Sequence, residues 1–100
     1  VPVKPHAFHP AAEAEYTEAA RYYADIGPEL AGRFYDDVEE VIRQIRRQPE
    51  RFRCVSPLVR RALCDHFAYA VLYMNQSDRI WIVAVMHGMR RPGYSRSRLR

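Results

Sequence analysis

The stretch PELAGRFYDDVEEVIRQIRR, residues 28–47, decides the fold. Ala31, Phe34, Val38, Val41, Ile42 and Ile45 recur at three- and four-residue spacing, the period of one helix face. The other face carries Asp36, Asp37, Glu39, Glu40, Arg43 and Arg46, acids early and bases late, as the helix dipole favours. Pro28 suits the first helical position and Pro49 blocks continuation. The spacing predicts a helix from about Pro28 to Arg47, laid stripe-down on an apolar surface.

Working outward, the preceding residues repeat the signal more weakly. Pro10 can open a helix, Glu13 and Glu15 follow in its early turns, and Ala12, Tyr16, Ala19 and Tyr23 form one stripe. Gly27 stops that helix just where Pro28 opens the next, so the pair reads as an antiparallel helical hairpin. Ahead of it, residues 3–8 (VKPHAF) predict a short strand that Pro5 confines to a sheet edge.

Beyond Pro49 the period changes from helix to strand. Residues 59–64 (VRRALC), 66–74 (HFAYAVLYM) and 80–87 (IWIVAVMH) are rich in β-branched and aromatic residues. Asn75-Gln76-Ser77-Asp78 is a polar turn that predicts an antiparallel hairpin from the last two. Phe67, Tyr69, Val71 and Tyr73 alternate with Ala68, Ala70, Leu72 and Met74, so both faces of that hairpin are apolar. The helices can cover one face. The other is either covered by residues 50–58 and the C-terminal tail, or forms a groove that a partner chain completes.

These elements predict an α+β fold of order β-α-α-β-β-β. An N-terminal strand and a two-helix antiparallel hairpin pack on one face of a small, mainly antiparallel sheet. One hundred residues make one domain, spanning 1–100. No run reaches the roughly 18 apolar residues of a membrane span. The opening VPVKPHAFHP has no apolar core of a signal peptide, so a cytoplasmic protein is expected. Cys54 and Cys64 then read as thiols in a reducing compartment. His6 and His9 are too isolated for a metal site, and neither metal nor cofactor is expected.

Charge is unevenly placed. Residues 1–50 hold six basic and ten acidic residues, a net −4, whereas residues 51–100 hold ten basic and two acidic, a net +8. The second half therefore predicts an electropositive surface suited to phosphates or to an acidic protein segment. Arg51, Arg53, Arg60 and Arg61 form one basic group; Arg90, Arg91 and the nearby Tyr94 form a second, just past the last strand. Guanidinium groups grip phosphate or carboxylate oxygens bidentately, and a tyrosine can stack on a base or move a proton. His66 and His87 lie in or beside strands and read as structural. Glycine-rich phosphate loops and nucleophile elbows are absent from the sequence.

Four segments in this order resemble the RelE/ParE superfamily of type II toxins. They are FHPAAEAEYTEAARYY, AGRFYDDVEEVIRQIRRQP, VRRALCDHFAYAVLY and IWIVAVMHGMRRPGY. Two departures are visible: Ala68 stands where the family's Phe-Pro-Tyr motif has proline, and arginines stand where RNA-cleaving members favour lysine. The long paired helices resemble the ParE branch more.

The resemblance implies the toxin component of a type II toxin–antitoxin (plasmid stabilisation) module, neutralised by a cognate acidic antitoxin. By the ParE branch it implies binding to a protein target such as DNA gyrase, with Arg51, Arg53, Arg60, Arg61, Arg90 and Arg91 as target- or RNA-binding residues. By the RelE branch it implies a ribosome-dependent mRNA endoribonuclease, with Arg60, Arg61, Arg90, Arg91 and Tyr94 as the catalytic set. Phe67, Tyr69, Val71, Tyr73 and Trp81 are the residues expected to meet the antitoxin. A third reading is a non-toxic module that only binds an acidic protein or nucleic acid.

Overall fold

The computed structural model describes residues 3–88 together with Arg98. Strand β1 (His6–Phe8) is followed by helices α1 (Pro10–Ile26) and α2 (Pro28–Arg47). Strands β2 (Arg53–Ser56), β3 (Val59–Leu63), β4 (Tyr69–Asn75) and β5 (Ile80–His87) complete the order. The strands form one mixed sheet, β1-β5-β4-β3-β2, antiparallel throughout except that β1 runs parallel to β5. The predicted α+β fold is present, with one strand more than expected. That strand, β2, is short, exposed and at the sheet edge, so it lacks the apolar alternation by which strands are read.

Both helices begin as the prolines dictate. Pro10 and Pro28 sit in the first helical turns, and the imidazole Nδ1 of His9 caps α1 by accepting the Ala11 N–H at 3.0 Å. The whole α2 stripe is buried, together with Ala12, Tyr16, Ala19 and Ala20 of α1. These residues lie on Ala62, Val71, Tyr73, Ile80, Ile82 and Val85 of the sheet, with Phe8, Phe67 and Tyr69 at the margin. A second cluster fills the opposite face: Val59, Ala70, Leu72, Val83, Ala84 and Met86.

β5 serves both faces through a bulge. Leu72 opposes Ala84 and Tyr73 opposes Ile82, which leaves Val83 without a cross-strand partner. Before the bulge the even-numbered Ile80 and Ile82 face the helices; after it the odd-numbered Val85 does. Strict alternation would have turned Val85 outward, so the extra residue keeps both halves of the strand in the core.

The outer face is less bare than the sequence implies. Val59, Leu72, Val83 and Met86 are buried within the chain itself, and only Met74 and Trp81 of that cluster are partly open. Among the described residues no helix is long and apolar enough to cross a membrane.

Candidate functional site

β3 divides its two arginines between the two faces of the sheet. Arg60 opposes Tyr73 and Arg61 opposes Leu72, and successive side chains on a strand point opposite ways. Arg60 therefore shares the helix-side face with Ala62, and its guanidinium donates to the carbonyls of Glu50 at 3.0 Å and Phe52 at 2.7 Å. It fastens β3 to the α2–β2 connection. Arg61 stands on the outer face, directly opposite Arg53 of β2.

Cross-strand neighbours of this kind have Cβ atoms about 4.5–5.5 Å apart, and like charges so placed repel. Among the described residues neither Arg53 nor Arg61 has an ion pair or a hydrogen-bonded acceptor. Two unneutralised guanidinium groups side by side form a ready receptor for a carboxylate or phosphate. Their surroundings are apolar: Leu63 follows on the same face and is well exposed, and Leu72 is the neighbour of Arg61 on β4. Arg51 differs from both, with its guanidinium 5.3 Å from the Phe52 ring centroid.

Further along the outer face, Trp81 lies across from Met74. The Arg79 guanidinium stacks 4.2 Å from the indole centroid and donates to the Gln76 side chain at 2.8 Å. A partly open tryptophan topped by an arginine continues the same mixture of cation and apolar surface. Of the five residues expected to meet an antitoxin, Trp81 alone is on this face. Val71 and Tyr73 are fully buried under the helices and have no surface to offer, and the Tyr73 hydroxyl donates to the Pro49 carbonyl at 2.6 Å. Phe67 and Tyr69 are half-buried on the helix side, packed edge-on against Phe34. The second basic group lies elsewhere in the chain: Arg90, Arg91 and Tyr94 are outside the described residues.

The polar feature that sequence reasoning misplaced is Asp37. It reads as part of the solvent face of α2, yet it is the one buried charged residue described, 5% exposed. Its carboxylate accepts three backbone N–H groups, from Asp65 at 3.2 Å, His66 at 3.0 Å and Phe67 at 2.8 Å. The loop after β3 is thereby pinned to α2, which is why β4 starts at Tyr69 and not at His66 as predicted. A signal was present: position 37 falls three after Phe34 and four before Val41, inside the apolar stripe. The loop also closes a cleft of about 650 Å3 over Leu30, Arg33, Asp36, Glu40 and Phe67. That cleft is acid-lined and separate in composition from the arginine face.

Among the described residues, neither His66 nor His87 lies beside Arg61. His87 pairs with Tyr69 in the ladder and packs edge-on against its ring, on the helix side, while His66 lies in the Asp37-bound loop. Burial pushes the Cys64 thiol up to about 12, helped by the Asp37 and Asp65 carboxylates, so it is a poor nucleophile. Burial also raises the Tyr16 hydroxyl, which donates to the Glu39 carboxylate at 2.8 Å.

A family model described as the ParE toxin of the type II toxin–antitoxin system parDE matches residues 7–92. The chain is also 34% identical over 85 residues to Toxin ParE2 of Mycobacterium tuberculosis, in strains CDC 1551 / Oshkosh and ATCC 25618 / H37Rv. That match covers 84% of this chain and 81% of the relative. A solved structure titled "Chromosomal ParDE TA system from P. aeruginosa" superposes with a TM-score of 0.73 at 18% identity. It covers 85% of this chain and 96% of that one, a likeness of fold.

Proposed function

We propose a function from one premise: the chain belongs to the ParE toxin family of type II toxin–antitoxin systems. In our reading it arrests growth by binding a protein target such as DNA gyrase, and a ParD-type acidic antitoxin silences it. The observation that carries the reading is the outward pair Arg53 and Arg61, without an acidic partner among the described residues and beside the exposed Leu63. Arginine mixed with apolar and aromatic surface is the composition of a protein-binding patch. The endoribonuclease reading turns on Tyr94, outside the described residues; His66 and His87 lie in the Asp37-bound loop and on the helix side, away from Arg61.

The same patch supports the antitoxin reading. An acidic, amphipathic segment would place carboxylates on Arg53 and Arg61 and apolar side chains toward Leu63, Met74 and Trp81. Antitoxin and target would then compete for overlapping charge, which accounts for neutralisation by occlusion.

A gyrase supercoiling assay with purified protein, run beside transcript mapping in arrested cells, tests the proposal. Inhibited supercoiling with intact transcripts is the expected result. Codon-phased cuts in mRNA with untouched gyrase would replace it with the endoribonuclease reading, and no arrest at all would leave the non-toxic binding module.

A further inference from the structure

The β2–β3 hairpin carries something that the fold does not use. Its tip is Val55-Ser56-Pro57-Leu58, where Leu58 is 63% and Val55 45% exposed. Hairpin turns usually take small or polar residues, because their positions are hydrated and contribute little to a core. Here Pro57 stiffens the turn and Leu58 stands beyond it in solvent. Val55 sits at the register shift between Cys54 and Ser56, outside the regular ladder.

Along the hairpin itself, between Glu50 and Asp65, the charge is of one sign. Residues 51–64 hold four arginines and no carboxylate, and among the described residues β2 ends the sheet with no strand beyond it. Arginines, a proline and a bulge on an edge strand are also the devices that prevent edge-to-edge aggregation. That purpose explains Arg53, Pro57 and the bulge. It does not explain Val55 and Leu58, since exposed apolar residues at an edge work against it.

We propose that this hairpin tip engages the toxin's protein target, and that it enters an apolar recess rimmed by carboxylates on the target's surface. The proposal rests on the reading that the target is a protein, and it specifies the contact. A convex, stiffened tip suits a recess in a folded protein, whereas an extended antitoxin segment needs a groove or a face to lie along. Leu58 and Val55 supply the desolvated centre, and the Arg53–Arg61 pair behind them supplies the complementary charge.

The experiment compares the wild-type chain with Val55→Ser/Leu58→Ser, with Arg53→Glu and, as a control away from the hairpin, with Thr17→Ser. Readouts are growth arrest in a bacterial host, binding to purified DNA gyrase, and thermal unfolding. The expected result is at least about a tenfold loss of gyrase affinity and of arrest in the first two variants. Thr17→Ser, on the exposed face of α1, should retain both, with unfolding of Arg53→Glu little changed. Undiminished arrest by both disabled variants overturns the proposal. So does a variant that still arrests growth but escapes a co-expressed antitoxin, which would assign the tip to the antitoxin. Wild-type protein that arrests growth without binding gyrase defeats the gyrase reading separately; arrest by the variants then decides the hairpin alone.

Discussion

The carboxylate of Asp37 accepts the backbone N–H of Phe67 at 2.8 Å, joining α2 to a loop thirty residues away in sequence. With the N–H groups of Asp65 and His66 on the same carboxylate, one side chain replaces the strand ladder that this segment lacks. The loop then holds the end of β5, since the Ala68 carbonyl accepts the Gly88 N–H at 2.7 Å. A buried charge thus organises the corner where β3, β4 and β5 meet.

Removing it should cost stability. Asp37→Ala leaves three buried or half-buried amides without an acceptor and is expected to destabilise the protein by about 2–4 kcal/mol. Asp37→Asn, which keeps an acceptor but loses the charge, is expected to cost about 1–2 kcal/mol. Urea unfolding of the three proteins gives both differences. A loss below about 0.5 kcal/mol for alanine would mean that water replaces the carboxylate without penalty.

Arg60 and Arg61 are adjacent in sequence but should respond to substitution in opposite ways. Arg60→Ala removes a guanidinium from two backbone carbonyls and is expected to lower stability by about 1–2 kcal/mol. Arg61→Ala removes one of two repelling cations and is expected to leave stability unchanged or slightly raised, within about 0.5 kcal/mol. Growth arrest should weaken with Arg61→Ala and persist with Arg60→Ala wherever the protein stays folded. Thermal unfolding paired with induction in a bacterial host measures both.

Tyr73 gives the fold an alkaline limit. Burial raises its hydroxyl from 10.0 to about 12, with a partial offset from Arg60. The folded state therefore holds this proton more tightly than the unfolded chain does. Its stabilising contribution is complete below about pH 10 and declines as pH rises toward about 12. Tyr73→Phe should lose about 1–2 kcal/mol at neutral pH, from the bond to the Pro49 carbonyl. It should also show a shallower fall between pH 10 and 12. Equal slopes for the two proteins would show that Tyr73 is not the titrating group.

Much of this architecture was legible because a few residues signal it strongly. The α2 stripe and the prolines at 10, 28 and 49 define the helical hairpin almost to the residue. The β4–β5 pair was legible from its β-branched and aromatic content and its polar turn. β2 was not, because Arg-Cys-Val-Ser at a sheet edge has no apolar face to betray it. Nor was the division of Arg60 from Arg61, since strand register is set by partners distant in sequence. The burial of Asp37 was signalled by its place inside the apolar stripe, but its partners were not, because backbone amides carry no residue signature.

The parallel seam between β1 and β5 has a consequence for when this molecule can exist. His6, Ala7 and Phe8 have no ladder to join until Ile80, Trp81 and Ile82 have been synthesised. The two helices likewise have no floor until β4 and β5 arrive. The edge strand, the helical pair and the sheet they cover therefore close together, as one step, only once β5 is in place.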